Sequence, residues 1–288
     1  MKTTARLAAA LAAFLLATAA VAGPVFTFTA IPDQDENRLN ERFGQVAAYL
    51  SKELGIETKY VPVKSYPAAV TAFRNNEVQL AWFGGFTGVQ ARRAVPGSQA
   101  IAQGVEDTAF HTYFIAHAGT GLKPGKNFPK EIAGKSFTFG SKASTSGRLM
   151  PEYFIRQHTK KTPDELFSRV GFSGDHSKTL ELVQSGAYEI GAMDYSVWQS
   201  EERAGRIDPA KVVVIWKTPA FQDYQWTVRG DADATFGKGF TRKLQNALIA
   251  IKDPVLLGHF SRSGFIKADN KDYAPVEATA KAIGLLDD

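Results

Sequence analysis

Apolar and polar positions along this chain alternate between two periods. Residues 25–31 alternate with a period of two, as a half-buried strand does, and run into the polar segment Asp33-Gln34-Asp35-Glu36. Leu39, Phe43, Val46, Ala47, Leu50 and Leu54 then recur at three- and four-residue steps, which predicts a helix with one apolar face. Gly55 follows where a helix C-cap is expected. A strand over 58–63, a helix over 67–75 ended by Asn76 and a strand over 80–84 complete a βαβ pattern. That pattern implies a parallel sheet with helices on its faces. It restarts with a strand at 136–140, a helix at 148–158, a strand at 169–172, a helix at 178–185 and a strand at 190–193.

Two extended apolar runs, 112–117 and 225–228, flank this second unit and read as crossover strands. Residues 241–251 and onward to 286 read as helical and return to the first unit. The expected fold is α/β with two lobes and a two-strand hinge. The first lobe takes residues 23–113 and 225–288, the second 114–224. Ligands of such sheets bind beyond the carboxyl ends of the strands, at helix N-termini. Two facing lobes would therefore share one cleft, and hinge motion would close it.

The N-terminal segment changes the setting. Lys2 and Arg6 precede the apolar run 7–19, and Ala20-Val21-Ala22 gives a small-x-small cleavage pattern before Gly23. Residues 1–22 thus read as a secretory signal cleaved near Ala22, and an exported, periplasmic protein is expected. No cysteine occurs in the 288 residues, which excludes disulfides, thiolate metal sites and a Cys nucleophile. The formal charge of +5 is modest and dispersed. It suits anionic small solutes and gives no ground for nucleic acid.

The chemistry concentrates at strand ends. Ser144-Thr145-Ser146-Gly147 joins the strand at 136–140 to the helix that follows. One hydroxyl suffices for an N-cap. Three hydroxyls and a glycine supply further O–H and N–H donors at the positive end of a helix, where anions bind. A generous cap and an oxyanion cradle both fit the run. Trp82, Phe83 and Gly84 end the third strand, as an aromatic wall with exposed amides or as buried rings before a turn. Tyr66 precedes a helix after a strand, which suits a cleft-facing hydroxyl.

His176 begins another helix, where its own cation is disfavoured unless an anion lies beside it. Pairing with an anion would tighten binding as pH falls. Arg148 in a first turn raises the same expectation of a nearby anion. Asp194 and Asp223 follow strands of the second lobe. A carboxylate there repels a fully ionised anion and accepts a hydrogen bond from a protonated one. His111 and His117 lack carboxylate company, so no metal or other cofactor is expected.

Together these segments resemble the phosphonate- and phosphite-type periplasmic solute-binding proteins of ABC importers, over nearly the whole length after residue 22. The resemblance rests on Phe28-Thr29-Ala30-Ile31-Pro32, Tyr66 with Ala68-Ala69-Val70, Leu80-Ala81-Trp82-Phe83-Gly84, and Ser144-Thr145-Ser146-Gly147 with Pro151 and Tyr153. Gly174-Asp175-His176 and Val214-Ile215-Trp216-Lys217-Thr218-Pro219 complete it. Ile31-Pro32-Asp33-Gln34-Asp35-Glu36 and Trp82-Phe83-Gly84-Gly85 are most similar to a subgroup associated with selenate transport. The resemblance implies that Tyr66, Ser144, Thr145, Ser146 and His176 hold a small oxyanion, with an inner-membrane ABC permease as partner and a monomeric state. Phe83 replaces a frequent Tyr, and Ser196 stands where the family's amine-reading Glu is expected, which argues against aminoethylphosphonate. An enzyme with Ser144 or Ser146 as nucleophile and His176 as base is the competing class, but the run lacks the G-x-S-x-G elbow. Which oxyanion binds, whether Asp194 or Asp223 enters the site, and whether a transporter or a sensor is fed stay open.

Overall fold

A computed structural model describes residues 23–287; the expected signal segment, 1–22, lies outside the described residues. Eleven strands among those residues form two sheets. The first contains β1 (Phe26–Ala30), β2 (Thr58–Tyr60), β3 (Leu80–Phe83), β4 (Gln99–Gly104), β10 (Gln225–Val228) and β11 (Phe265–Lys267), in the order β11-β4-β10-β3-β1-β2. The second contains β5 (Thr112–His117), β6 (Ser136–Phe139), β7 (Arg169–Phe172), β8 (Ile190–Asp194) and β9 (Val212–Lys217), in the order β7-β6-β8-β5-β9.

Both sheets are mixed, and the reason is the hinge. β1 pairs parallel with β2 and β3, and β6 pairs parallel with β7 and β8, as the βαβ pattern requires. The strand arriving from the other lobe enters at the cleft and runs away from it. β10 therefore lies antiparallel to β3, with Gln225 opposite Phe83. β5 likewise lies antiparallel to β8, with Thr112 opposite Asp194. The two runs read as crossovers are thus β5 and β10, each wholly within one sheet. The chain crosses just before each of them, where Phe110 and Phe221 exchange backbone hydrogen bonds of 2.8 and 3.0 Å.

Local rules account for the elements that position the cleft. Asp35 caps the helix Glu36–Leu54 by accepting from Arg38 N–H at 3.2 Å, and Gly55 closes it. Ser65 caps the helix Tyr66–Arg74, which starts one residue earlier than its periodicity suggests. The C-terminal part is broken by β11 and by several short helices, so it is less helical than its pattern predicts. The helices Gly85–Ala94 and Tyr195–Arg203 and the strands β4 and β9 lacked a clear periodic signal.

Aromatic side chains fill the core. In the first lobe Phe28, Phe43, Trp82 and Phe260 surround Trp226, with ring centroids 5.2–6.2 Å from it. In the second, Phe114 and Phe128 pack edge-on to Trp216, both at 5.2 Å. Pairs of this kind contribute about 0.5–1.5 kcal/mol each beyond burial. At the crossing, Arg262 forms a buried two-bond pair with Asp107, at 2.6 and 2.9 Å. Burial pushes the Asp107 carboxyl up to about 6 even beside that guanidinium.

Candidate functional site

The cleft ends of β1, β3, β6 and β8 meet at a closed interior between the lobes. After β6 the chain makes a single π-helical turn, Thr145–Leu149, before the helix Met150–Thr159. Ser144 caps this turn, its Oγ accepting from Gly147 N–H at 2.9 Å. Gly147 is required there, because a Cβ would lie 2.9 Å from both His176 Cε1 and Ser144 Oγ. Wide turns of this type recur where a helix is deformed to aim its groups. Thr112 Oγ1 donates to Ser146 O at 2.7 Å, and the Ser146 hydroxyl has no hydrogen-bond partner among the described residues.

Thr145 reaches across the cleft. Its Oγ1 accepts from Phe86 N–H of the first lobe at 2.9 Å. A Cβ on Gly84 would lie 3.1 Å from both Thr145 Oγ1 and Asp223 Oδ1, so a glycine lets the two lobes approach here. Asp223, on the crossing segment, accepts from Gly85 N–H at 3.0 Å through Oδ1, while its buried Oδ2 has no partner. Burial pushes this carboxyl up to about 8; the Gly85 amide opposes the shift and repulsion from Asp194 adds to it.

His176 is fully buried, and its geometry fixes its protonation. Its Nδ1 accepts from Asp194 N–H at 3.2 Å, so the neutral ring carries its proton on Nε2, which is buried without a partner. Burial holds the imidazole below its ordinary pKa. A cationic ring, which the sequence allowed only beside an anion, would make Nδ1 a second donor facing a donor, so the ring is a neutral N–H donor. Its backbone N–H bonds Asp33 O of the first lobe at 3.1 Å.

Three further groups converge. Tyr66 is 1% exposed, and its hydroxyl has no partner; burial, with repulsion from Asp33, Asp194 and Asp223, keeps it protonated. Asp194 caps the helix Tyr195–Arg203 through Oδ1, leaving Oδ2 buried and unpartnered. Asp33 Oδ1 is also unpartnered; Arg42 Nη1 stands 3.8 Å away, and burial raises the carboxyl against that cation. The interior thus holds two neutral donors, Tyr66 O–H and His176 Nε2–H, beside free oxygens of three carboxyl groups.

Other expected residues serve differently. Trp82 stacks on Tyr224, with centroids 5.4 Å apart at 18°, and Phe83 packs edge-on to Phe73 at 5.6 Å. Arg148 finds its anion in the buried Glu152. Ser196 N–H donates to Asp194, so this residue supports the cap. His111 lies against Thr218 O at 2.9 Å, and His117 Nδ1 accepts from Gly119 N–H. Asp33, which Tyr224 touches through its hydroxyl, was not foreseen as a site residue. The polar run after β1 was the available signal for Asp33.

Two α/β lobes joined at a double crossing and closed over a polar interior define a hinged solute-binding protein. A family model described as ABC transporter, phosphonate, periplasmic substrate-binding protein matches residues 28–273. The Probable ABC transporter phosphite binding protein PhnD1 of Prochlorococcus marinus (strain MIT 9301) is 38% identical over 264 residues, 89% of this chain and 89% of the relative. The Phosphate-import protein PhnD of Mycolicibacterium smegmatis is 25% identical over 203 residues, 67% of this chain and 62% of the relative. The structure of PhnD1 in complex with methylphosphonate superposes with a TM-score of 0.86 at 38% identity, over 91% of this chain and 99% of that one. A phosphonate-transporter binding component from Pseudomonas aeruginosa, at 18% identity and a TM-score of 0.78, shares the fold. The chain belongs to the periplasmic phosphonate-type substrate-binding proteins of ABC transporters. No helix among the described residues is long and apolar enough to cross a membrane.

Proposed function

We propose that this protein captures a small tetrahedral phosphorus oxyanion that keeps a proton near neutral pH, such as hydrogen phosphite or methylphosphonate, and delivers it to an inner-membrane permease without chemical change. The observation that carries this reading is the buried Asp223 carboxyl with a free oxygen, beside the free donors of Tyr66 and His176. Tyr66, His176 and the Ser144–Ser146 hydroxyls would donate to ligand oxygens. Asp223 or Asp194 would share the ligand's remaining proton. A fully ionised sulfate or selenate brings no proton of its own, so it can take the one Asp223 holds but leaves the free oxygens of Asp194 and Asp33 without a donor. Phosphite binding by PhnD1, as its name states, and the methylphosphonate complex support the same class. Each lobe would keep its own sheet in an exported monomer, with the first boundary just before β5, at Thr112, rather than between 113 and 114 as expected, and the second just before β10.

Calorimetry at pH 7 with phosphite, methylphosphonate, phosphate, sulfate and selenate tests the proposal. The phosphorus anions should bind at least about 100-fold more tightly, equivalent to about 2.7 kcal/mol. Selenate or sulfate binding as tightly as phosphite would overturn it.

A further inference from the structure

A second recess lies at the lobe boundary, outside the closed interior. It has a volume of about 300 Å³ and is lined from the first lobe by Gln34, Arg38, Glu41, Arg42 and His259 and from the second by Ser200 and Arg203. Arg38 is neutralised by Glu201, at 3.0 Å across the boundary, and by Asp35 at 3.4 Å. Arg42 is not. It is 5% exposed, yet its guanidinium donates no hydrogen bond to any described residue, and its Nε is buried without a partner. Its contacts are the 3.8 Å approach to Asp33 and the faces of Phe43 and Phe260, at 5.5 and 5.4 Å. Arg203, from the opposite lobe, has one bond, to Ser261 Oγ at 2.7 Å, and no carboxylate. His259 Nε2 is also buried without a hydrogen-bond partner, 4.0 Å from Glu41.

A buried guanidinium with all its donors unspent is costly unless an acceptor reaches it. Glu41 is the acid on the lining, with Asp35 and Glu201 on Arg38 and Asp33 behind Arg42, which leaves Arg203 as the lining arginine without a carboxylate and Arg42 as the one without a hydrogen bond. We propose that the recess is an accessory site for a small inorganic anion with its waters, held by Arg42 from one lobe and Arg203 from the other. A volume of this size accommodates a hydrated anion. Because the two arginines belong to different lobes, the anion would hold the closed form and so tighten capture at the interior site.

Chloride is the probe, in ligand-free protein at constant ionic strength, with gluconate as replacement. Thermal unfolding should rise by about 2–4 °C as chloride replaces gluconate, and the rise should saturate. Arg42→Gln should abolish the rise, and Arg203→Gln, at an exposed position, should weaken it without lowering the melting temperature in gluconate. Crystals soaked in bromide should show an anomalous peak in the recess within hydrogen-bond distance of an Arg42 Nη atom. No saturable chloride effect in the wild-type protein, or the same effect in both variants, would overturn the proposal. So would bromide absent from the recess. These readouts use no phosphorus anion, so they stand or fall separately from the function proposed above.

Discussion

Replacing Thr145 by Val separates closure from folding. Thr145 Oγ1 and Phe86 N–H belong to opposite lobes and meet at 2.9 Å, with the two residues 1% and 2% exposed. Valine nearly keeps the volume but removes the acceptor, along with the O–H that faces Asp223, so the figure worked from the amide is a lower bound. In the closed form the Phe86 amide is then buried without a partner, at a cost of about 1–3 kcal/mol. At 1.4 kcal/mol per tenfold, methylphosphonate affinity should fall by about 5- to 150-fold. When the lobes part, water reaches that amide, so neither the open form nor the folding of either lobe depends on the bond. Ser144→Ala is the contrasting change. Its hydroxyl accepts from Gly147 within one turn, at 2.9 Å, so its loss costs cap energy of about 1 kcal/mol in open and closed forms alike, and any loss of affinity reads the bond its O–H would donate to the ligand. Calorimetry with methylphosphonate, paired with thermal unfolding of ligand-free protein, reads both effects. An unchanged affinity in Thr145→Val, or a lowered melting temperature without loss of affinity, would refute the cross-cleft role.

Other outcomes follow from the buried titratable groups. Between the ordinary carboxyl range and about 8, the folded state holds a proton on Asp223 that the unfolded chain has released, so ligand-free stability should fall as pH rises through that window. Urea denaturation from pH 5 to 8 should show a flatter slope in Asp223→Asn. His176 behaves in the opposite sense: its pKa is lowered on folding, so its contribution is present above the ordinary histidine value and lost as pH falls below it. Methylphosphonate affinity should therefore not improve from pH 7 to 5.5 through this ring, and a calorimetric gain that disappears in His176→Gln would contradict the neutral donor. Asp107→Asn leaves Arg262 buried without its carboxylate and should cost about 3–5 kcal/mol in chemical denaturation.

The sequence made the parallel halves of both sheets legible, because β1 with the helix Glu36–Leu54 and β6 with its following helix carry clean periods of two and of three to four. It concealed the antiparallel insertions. β5 and β10 read as apolar extended runs, and nothing in such a run says which sheet it joins or in which direction. That is decided by where the chain crosses, at Phe110 and Phe221, which lie outside both runs. In the site, residue types at strand ends pointed to Tyr66, Thr145, His176, Asp194 and Asp223. Their roles were less legible, because a hydrogen bond to Nδ1 decides whether His176 is a cation or a neutral donor, and that partner is a backbone amide eighteen residues away.

Under the proposed function, capture and closure would be carried by different atoms of the same residues. His176 uses its backbone N–H on Asp33 and its Nδ1 on Asp194, leaving Nε2 free; Asp223 uses Oδ1 on Gly85, leaving Oδ2 free. Each free atom, buried by closure, costs about 1–3 kcal/mol until something bonds it. Closing without ligand is therefore opposed by the same groups that would recognise one, and a ligand shifts the equilibrium only by what it returns to the closed form over the open one. A dianion would satisfy Tyr66, His176 and the protonated Asp223 but would set its charge against the free oxygens of Asp194 and Asp33. An anion that carries a proton satisfies donors and acceptors together, and so recovers more of the cost of closing.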